Sequence, residues 1–424
     1  MKHTVELVEL KNGAKGLLII VPDASVTSFD FNFRAGDYLA PIDKWDTAHI
    51  MEHMVLGANK RYASSSEFSK VFEQNGAYSN ASTGTYHMSY IAECADFETE
   101  RILDLLCLSI EAPAFLESEF KAEKANVREE LKSRRNNHSS ELALTMSAKM
   151  GEHDLPYTER AKLLDNISLE DVVAHYKKTH TSQNLRFMIA GNIGSLKQAI
   201  IDRIESMPLP KGNGRIALPT EKLVSLDTPV VMRKQDVENV YYRYEVVLGK
   251  LLTPEEIDGL TALEHVLLGS MHSRVFGKAR EQGLAYGINY GDYRTKDSAI
   301  FWIAGQVLQE NAQQLFELFA HELKDIAAGN VSGSELEAVK LAALGSFKRT
   351  TQTVGQLLDG YSSWFIYDDK IEDYYATPER IKAVTLERVI AAAQSIVAKP
   401  AYGVGFAGHT AGLKTAELAE VLTA

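Results

Sequence analysis

The sequence predicts an α+β fold built from two copies of one domain, and three observations carry that reading. Strand and helix signatures occur together without strict alternation, which favours separate sheet and helix layers. Segments recur at an offset near half of the 424 residues, the mark of an internal duplication. A stretch rich in Pro and Gly lies between the two copies.

The elements follow in chain order. Phe29, Phe31 and Phe33 alternate with Asp30, Asn32 and Arg34, the period of a half-buried strand. Ser64-Ser65-Ser66-Glu67 offers N-cap signals for a helix through Glu73. Asp96 to Glu111 carries apolar residues at helical intervals and stops before Pro113. Glu117 to Lys149 has few breakers and many Ala, Leu, Glu and Lys, so it reads as one long helix. In the second half, Val240 to Val247 and Ala299 to Ala304 read as strands.

The duplication is legible residue by residue. Ala48 to Gly57 lines up with Leu260 to Gly269, and Leu169-Glu170-Asp171-Val172-Val173 recurs as Leu386-Glu387-Arg388-Val389-Ile390. Each of the latter precedes a short apolar strand, ending in Ala190-Gly191 or Ala407-Gly408. Met207 to Pro229 holds Pro208, Pro210, Gly212, Gly214 and Pro219 and reads as a linker over a surface. The expected division is therefore a first domain over 1–210, a linker over 211–228 and a homologous second domain over 229–424.

The chemistry is concentrated in His49-Ile50-Met51-Glu52-His53. Positions i and i+4 lie one turn apart on a helix face, so both imidazoles can grip one metal ion, with Glu52 beside them as a general base. A catalytic zinc takes three protein ligands and keeps one position open. On the predicted helix after Glu117, Glu123, Val127 and Glu130 share one face by their i, i+4, i+7 spacing, while Glu129 turns away toward solvent.

These residues resemble the pitrilysin/insulinase family of zinc metallopeptidases, the inverzincins. The family carries H-x-x-E-H, then seventy-six residues, then a glutamate ligand, and the same interval separates His53 from Glu130. A second family glutamate, seven residues earlier, matches Glu123. Gly76-Ala77-Tyr78-Ser79-Asn80-Ala81-Ser82-Thr83, with Tyr86 after it, is similar to a family stretch before an aromatic, and Arg280-Glu281-Gln282-Gly283-Leu284-Ala285-Tyr286 to a second-half element. Two departures stand out: Val55-Leu56-Gly57-Ala58 replaces an aromatic and Gly-Thr, and Arg280 and Tyr286 are one residue closer than in several members.

The resemblance implies two largely antiparallel sheets, each with helices on one face, closing as a clamshell on a chamber. It implies one Zn2+ per chain held by His49, His53 and Glu130, with Glu52 as base and Glu123 orienting a ligand histidine. A surface salt bridge is the other reading of Glu123. Peptide substrates would add as a strand along Asn80 and Ala81 and meet Arg280 and Tyr286. Thr261 stands where the second copy would need its first histidine, so only the first copy is expected to be catalytic, with Glu264 and His265 left as surface or packing residues.

Composition narrows the class further. The chain is 45% hydrophobic and 24% charged, ample for large cores. No run approaches the roughly 18 apolar residues of a membrane span. The first residues lack the apolar region of a secretory signal. Two cysteines, Cys94 and Cys107, give no disulfide framework and fit a reducing, cytoplasmic setting. A net charge of −12 argues against nucleic acid as a partner. Retention of both the metal set and the Arg/Tyr element favours a homodimer over a heterodimer with a paralogous subunit. Two rival expectations are a non-catalytic, peptide-gripping subunit and a zinc hydrolase of small molecules.

Overall fold

Alternating apolar residues become a six-stranded sheet in the first unit of the computed structural model, which describes residues 1–234 and 237–423. Its strands are β1 (Thr4–Glu9), β2 (Lys15–Ile20), β3 (Val26–Phe33), β4 (Tyr78–Thr83), β5 (Met88–Ala95) and β6 (Leu185–Gly191), ordered β1-β2-β6-β3-β5-β4. All neighbours are antiparallel except β2 and β6. The second unit holds β7 (Val230–Arg233), β8 (Val240–Val247), β9 (Ile288–Arg294), β10 (Ala299–Val307) and β11 (Ala401–Gly408), ordered β7-β11-β8-β10-β9.

The two sheets share one plan. In the first, a parallel β2/β6 pair is followed by antiparallel β3, β5 and β4; in the second, a parallel β7/β11 pair is followed by antiparallel β8, β10 and β9. The duplication inferred from sequence is thus a duplication of topology.

β3 departs from the expected half-buried strand. Its aromatic face is fully buried, with Phe31 stacked on Phe187 at 5.9 Å between centroids, but Asp30 and Asn32 on the other face are buried too. The cause is a helix from far along the chain, Val354–Asp368. Its Val354, Leu357, Leu358, Tyr361, Phe365 and Ile366 pack with Leu17, Ile19, Met188 and Ala190 on that second face. Helices were expected on one face only; here the opposite face is covered as well. The second sheet receives the same treatment from helix His138–Met150, whose Leu142 and Met146 pack on Val230 and Ala407.

The compact units are therefore not contiguous halves. The first comprises Met1–Lys132, Thr158–Leu218 and Lys348–Tyr374; the second Ser133–Tyr157, Pro219–Phe347 and Tyr375–Ala424. This departs from the division at 210 and 229, because each sheet recruits a covering helix from the other half of the sequence.

A correction concerns the long helix expected from Glu117 to Lys149. It is two helices, Glu117–Arg134 and His138–Met150. Asn137 ends the run, since its side chain accepts a hydrogen bond from the Ser140 N–H and caps the second helix. The other helices agree well with the sequence: Ser64 caps Ser65–Phe72, and Ser168 caps Leu169–Thr179 through a capping box with Asp171. Residues 96–98 form a 3-10 turn ahead of helix Thr99–Glu111. Among the described residues no helix is long and apolar enough to cross a membrane.

Candidate metal centre

Helix Thr47–Val55 is apolar nearly all round: Ala48, Ile50, Met51, Met54 and Val55 are buried, so the helix is held by the core and not by its caps. His49 and His53 emerge one turn apart, with ring centroids 5.0 Å apart and planes at 81°. Helix Glu117–Arg134 lies across them, anchored by buried Phe120, Val127 and Leu131. Glu119 pins it further: its carboxylate accepts from the Ala58 N–H at 3.0 Å and from the Ser65 N–H at 2.7 Å.

The side chains then converge. Glu130 Oε2 lies 3.3 Å from His49 Nε2 and 3.9 Å from His53 Nε2. Each ring is held through its other nitrogen: His53 Nδ1 is 2.9 Å from Glu123 Oε2, and His49 Nδ1 is 3.2 Å from Asp46 Oδ1. Asn126 Nδ2 supports Glu123 at 3.0 Å. Donating Nδ1–H to a carboxylate leaves Nε2 with its lone pair, the form that binds a metal. Glu129 instead pairs with Lys132 at the surface.

Glu52 is buried, and Thr83 Oγ1, from the end of β4, donates to its Oε2 at 3.0 Å. Ligand atoms of His49, Glu52 and His53 lie within 4.8 Å of one another. Among the described residues no group of His, Cys, Asp or Glu away from these two histidines is placed to hold a metal. Cys94 and Cys107 are buried free thiols.

The donor set fits a zinc ion. Two donors at about 2.0–2.1 Å from tetrahedral zinc stand roughly 3.3–3.4 Å apart; Glu130 Oε2 is at that distance from His49 Nε2, 3.3 Å, and would close by about half an ångström on His53 Nε2, now 3.9 Å away. Burial disfavours charge on the His49 ring, but the Asp46 and Glu130 carboxylates outweigh it and raise its pKa to about 9. A cation between the imidazoles would take the place of that proton. Burial likewise works against the Asp46 carboxylate, yet His49 and Arg160 hold it below the ordinary range.

Asp46 and Arg160 escaped the sequence reading, and Thr83 was noted there only as part of a stretch. Asp46 left one signal, its position three residues before His49.

The remaining candidates lie apart from this cluster in sequence. β4 is a sheet edge, paired only with β5. On it Asn80 is exposed, and its Oδ1 accepts the Ala81 N–H at 2.9 Å. In the second unit, Arg280 donates to the Tyr286 carbonyl at 3.1 Å and stacks 4.4 Å over the Tyr286 ring, which is 87% exposed. Gly283 makes the turn at φ +70°, and Leu284 and Ala285 are buried beneath. Tyr286 and Asn289 also line an open groove of about 700 Å³ within that unit.

Thr261, Glu264 and His265 sit on helix Pro254–Leu268. Thr261 stands in place of a first imidazole, and His265 Nδ1 hydrogen-bonds the Thr261 carbonyl at 3.0 Å. Glu264 is buried, not a surface residue.

Fold and site together define a class: duplicated α+β units in one chain, with a His/Glu cluster that could hold a metal ion in the first. The chain belongs to the M16, or insulinase, family of peptidases. Residues 31–156 match Insulinase (Peptidase family M16), and residues 166–342 match the Peptidase M16 inactive domain. An uncharacterized zinc protease, YmxG of Bacillus subtilis (strain 168), is 26% identical over 355 residues, covering 81% of this chain and 83% of that protein. The zinc protease PqqE of Helicobacter pylori (strain ATCC 700392 / 26695) is 23% identical over 403 residues, covering 92% and 89%. The crystal structure of a peptidase M16 inactive domain from Pseudomonas fluorescens superposes with a TM-score of 0.84 at 17% identity, over 96% of this chain and 98% of that one. That last likeness concerns the fold alone.

Proposed function

We propose that this protein is a zinc-dependent endopeptidase whose single metal is held by His49, His53 and Glu130. The observation that carries the reading is the convergence of both Nε2 atoms on one Glu130 oxygen, with each Nδ1 tied to its own carboxylate. When bound, zinc would make water a nucleophile near neutral pH and polarise the scissile carbonyl. Glu52 accepts the water's proton at Oε1, since Oε2 is held by Thr83, and passes it to the departing amine. Glu123 holds the His53 ring.

Peptides or unfolded segments are the proposed substrates. The open edge of β4 supports this, because a main chain can add there beside the residue that contacts Glu52. Asn80 would give up its bond to the Ala81 N–H as the substrate strand arrives. The exposed Tyr286 with Arg280 stacked on it is proposed as a second substrate contact. Two buried free thiols support a reducing compartment such as the cytoplasm, and the complete ligand set supports a homodimer of active chains over a gripping subunit.

The test is Glu52→Gln, which removes the base and leaves every ligand. It should keep about one zinc per chain and lose peptide hydrolysis by roughly 10²- to 10⁴-fold. Chelation should abolish the wild-type activity. Cleavage by Glu52→Gln at a near-normal rate would overturn the assignment.

A further inference from the structure

We propose that Asp46, clamped by Arg160, is a positioning residue that fixes the His49 ring as a metal ligand. This rests on the reading of His49 as a ligand and adds the device that aims it.

Asp46 stands at the N-cap of helix Thr47–Val55, where an aspartate normally accepts a backbone N–H of the first turn. It makes no such bond. Its Oδ1 takes His49 Nδ1 at 3.2 Å and Arg160 Nη2 at 2.5 Å, and its Oδ2 takes Arg160 Nε at 3.2 Å. The carboxylate is gripped at both oxygens and cannot rotate away from the imidazole.

Stability does not explain the arrangement. Asp46 is 1% exposed and Arg160 8%, and a buried ion pair is on average no better than apolar residues of the same size. Forgoing the cap gives up a further stabilising contact. What the pair does supply is direction: with Nδ1 committed to Asp46, Nε2 is the nitrogen turned toward Glu130 and left for a metal. The partner of His53 is held differently, for Glu123 lies on another helix, is partly exposed and is supported by Asn126.

The experiment measures zinc affinity of the metal-free protein against a chromophoric chelator, together with the visible absorption of the cobalt-loaded form. Asp46→Asn should bind zinc 10- to 100-fold more weakly and alter the cobalt bands. Because that change also weakens the buried pairing with Arg160, Asp46→Asn/Arg160→Met is measured beside it. The double variant should melt at or above the single variant yet bind zinc just as weakly. Wild-type affinity in both variants, or its recovery in the double variant, would overturn the proposal and leave Asp46 a structural residue. His49→Ala separates the two readings. If it binds zinc normally, the ligand assignment itself fails; if it loses zinc while Asp46→Asn does not, only this inference fails.

Discussion

Thr83 meets Glu52 through one hydroxyl, and that contact has a measurable weight. A hydrogen bond to a charged group is worth about 1.5–3 kcal/mol, and about 1.4 kcal/mol is tenfold in rate. Thr83→Val keeps the shape of the side chain and removes the donor to Glu52 Oε2. Its kcat/KM on a peptide should fall about tenfold with zinc content unchanged; an unaltered rate would mean that Glu52 needs no such support. At this scale the legible residues were those with local spacing. His49, Glu52 and His53 announce themselves because one helical turn brings them together, whereas Glu130 is marked out only by the resemblance to a family that keeps a glutamate ligand at that interval. Asp46 was hidden, because an aspartate before a helix already has an ordinary explanation as a cap. Arg160 lies 114 residues from Asp46 and carries no local signal at all.

Among the elements, helix Pro254–Leu268 keeps Glu264 at the repeat position of Glu52 and buries it to 5% exposure. Its Oε1 finds no hydrogen-bond partner among the described residues. Burial first, and the nearby Asp292 second, push its pKa up from 4.5 to about 8. Between those values the folded protein holds a proton that the unfolded chain has released. Stability therefore falls as pH rises through that window and levels off above the folded value. Glu264→Gln removes the titration. It should be more stable than wild type by about 1–3 kcal/mol above the window, and much closer to it at its acid end. Melting curves at several pH values check this, and parallel curves for the two proteins would refute it. Element reading from sequence failed where tertiary structure intervened. The alternation in β3 marked a strand correctly but not its second buried face, which a helix some three hundred residues later creates. The helix after Glu117 was extended past Asn137 because helix propensity outweighed one capping residue in the reading.

At the scale of the whole chain, the exchange of helices between sequence halves decides what can fold alone. A fragment of residues 1–210 contains the entire first sheet but lacks Val354–Asp368. The six apolar side chains that this helix buries on the sheet contribute roughly 1.5–3 kcal/mol each. Their sum is comparable to the 5–15 kcal/mol by which a whole domain is stable. The fragment also loses Asp369, which pairs with Arg186 through Nε at 2.5 Å and Nη2 at 2.7 Å. Arg186 is 4% exposed in the full chain, so the fragment gives up a buried ion pair as well as apolar contact. A fragment of residues 229–424 lacks His138–Met150, so Leu142, Met146 and Met150 no longer cover Val230, Ala407, Val247 and Ile300. Neither half should give a cooperative melting transition by itself, although the repeat in the sequence invites cutting there. A chimaera in which residues 1–210 are joined through a flexible linker to residues 348–374 restores the missing helix and Asp369 and should fold. Near-UV circular dichroism and thermal melts of the three proteins test this. Cooperative unfolding of residues 1–210 alone, near the full-length midpoint, would show that the exchanged helix is dispensable and that the sequence halves are the folding units after all.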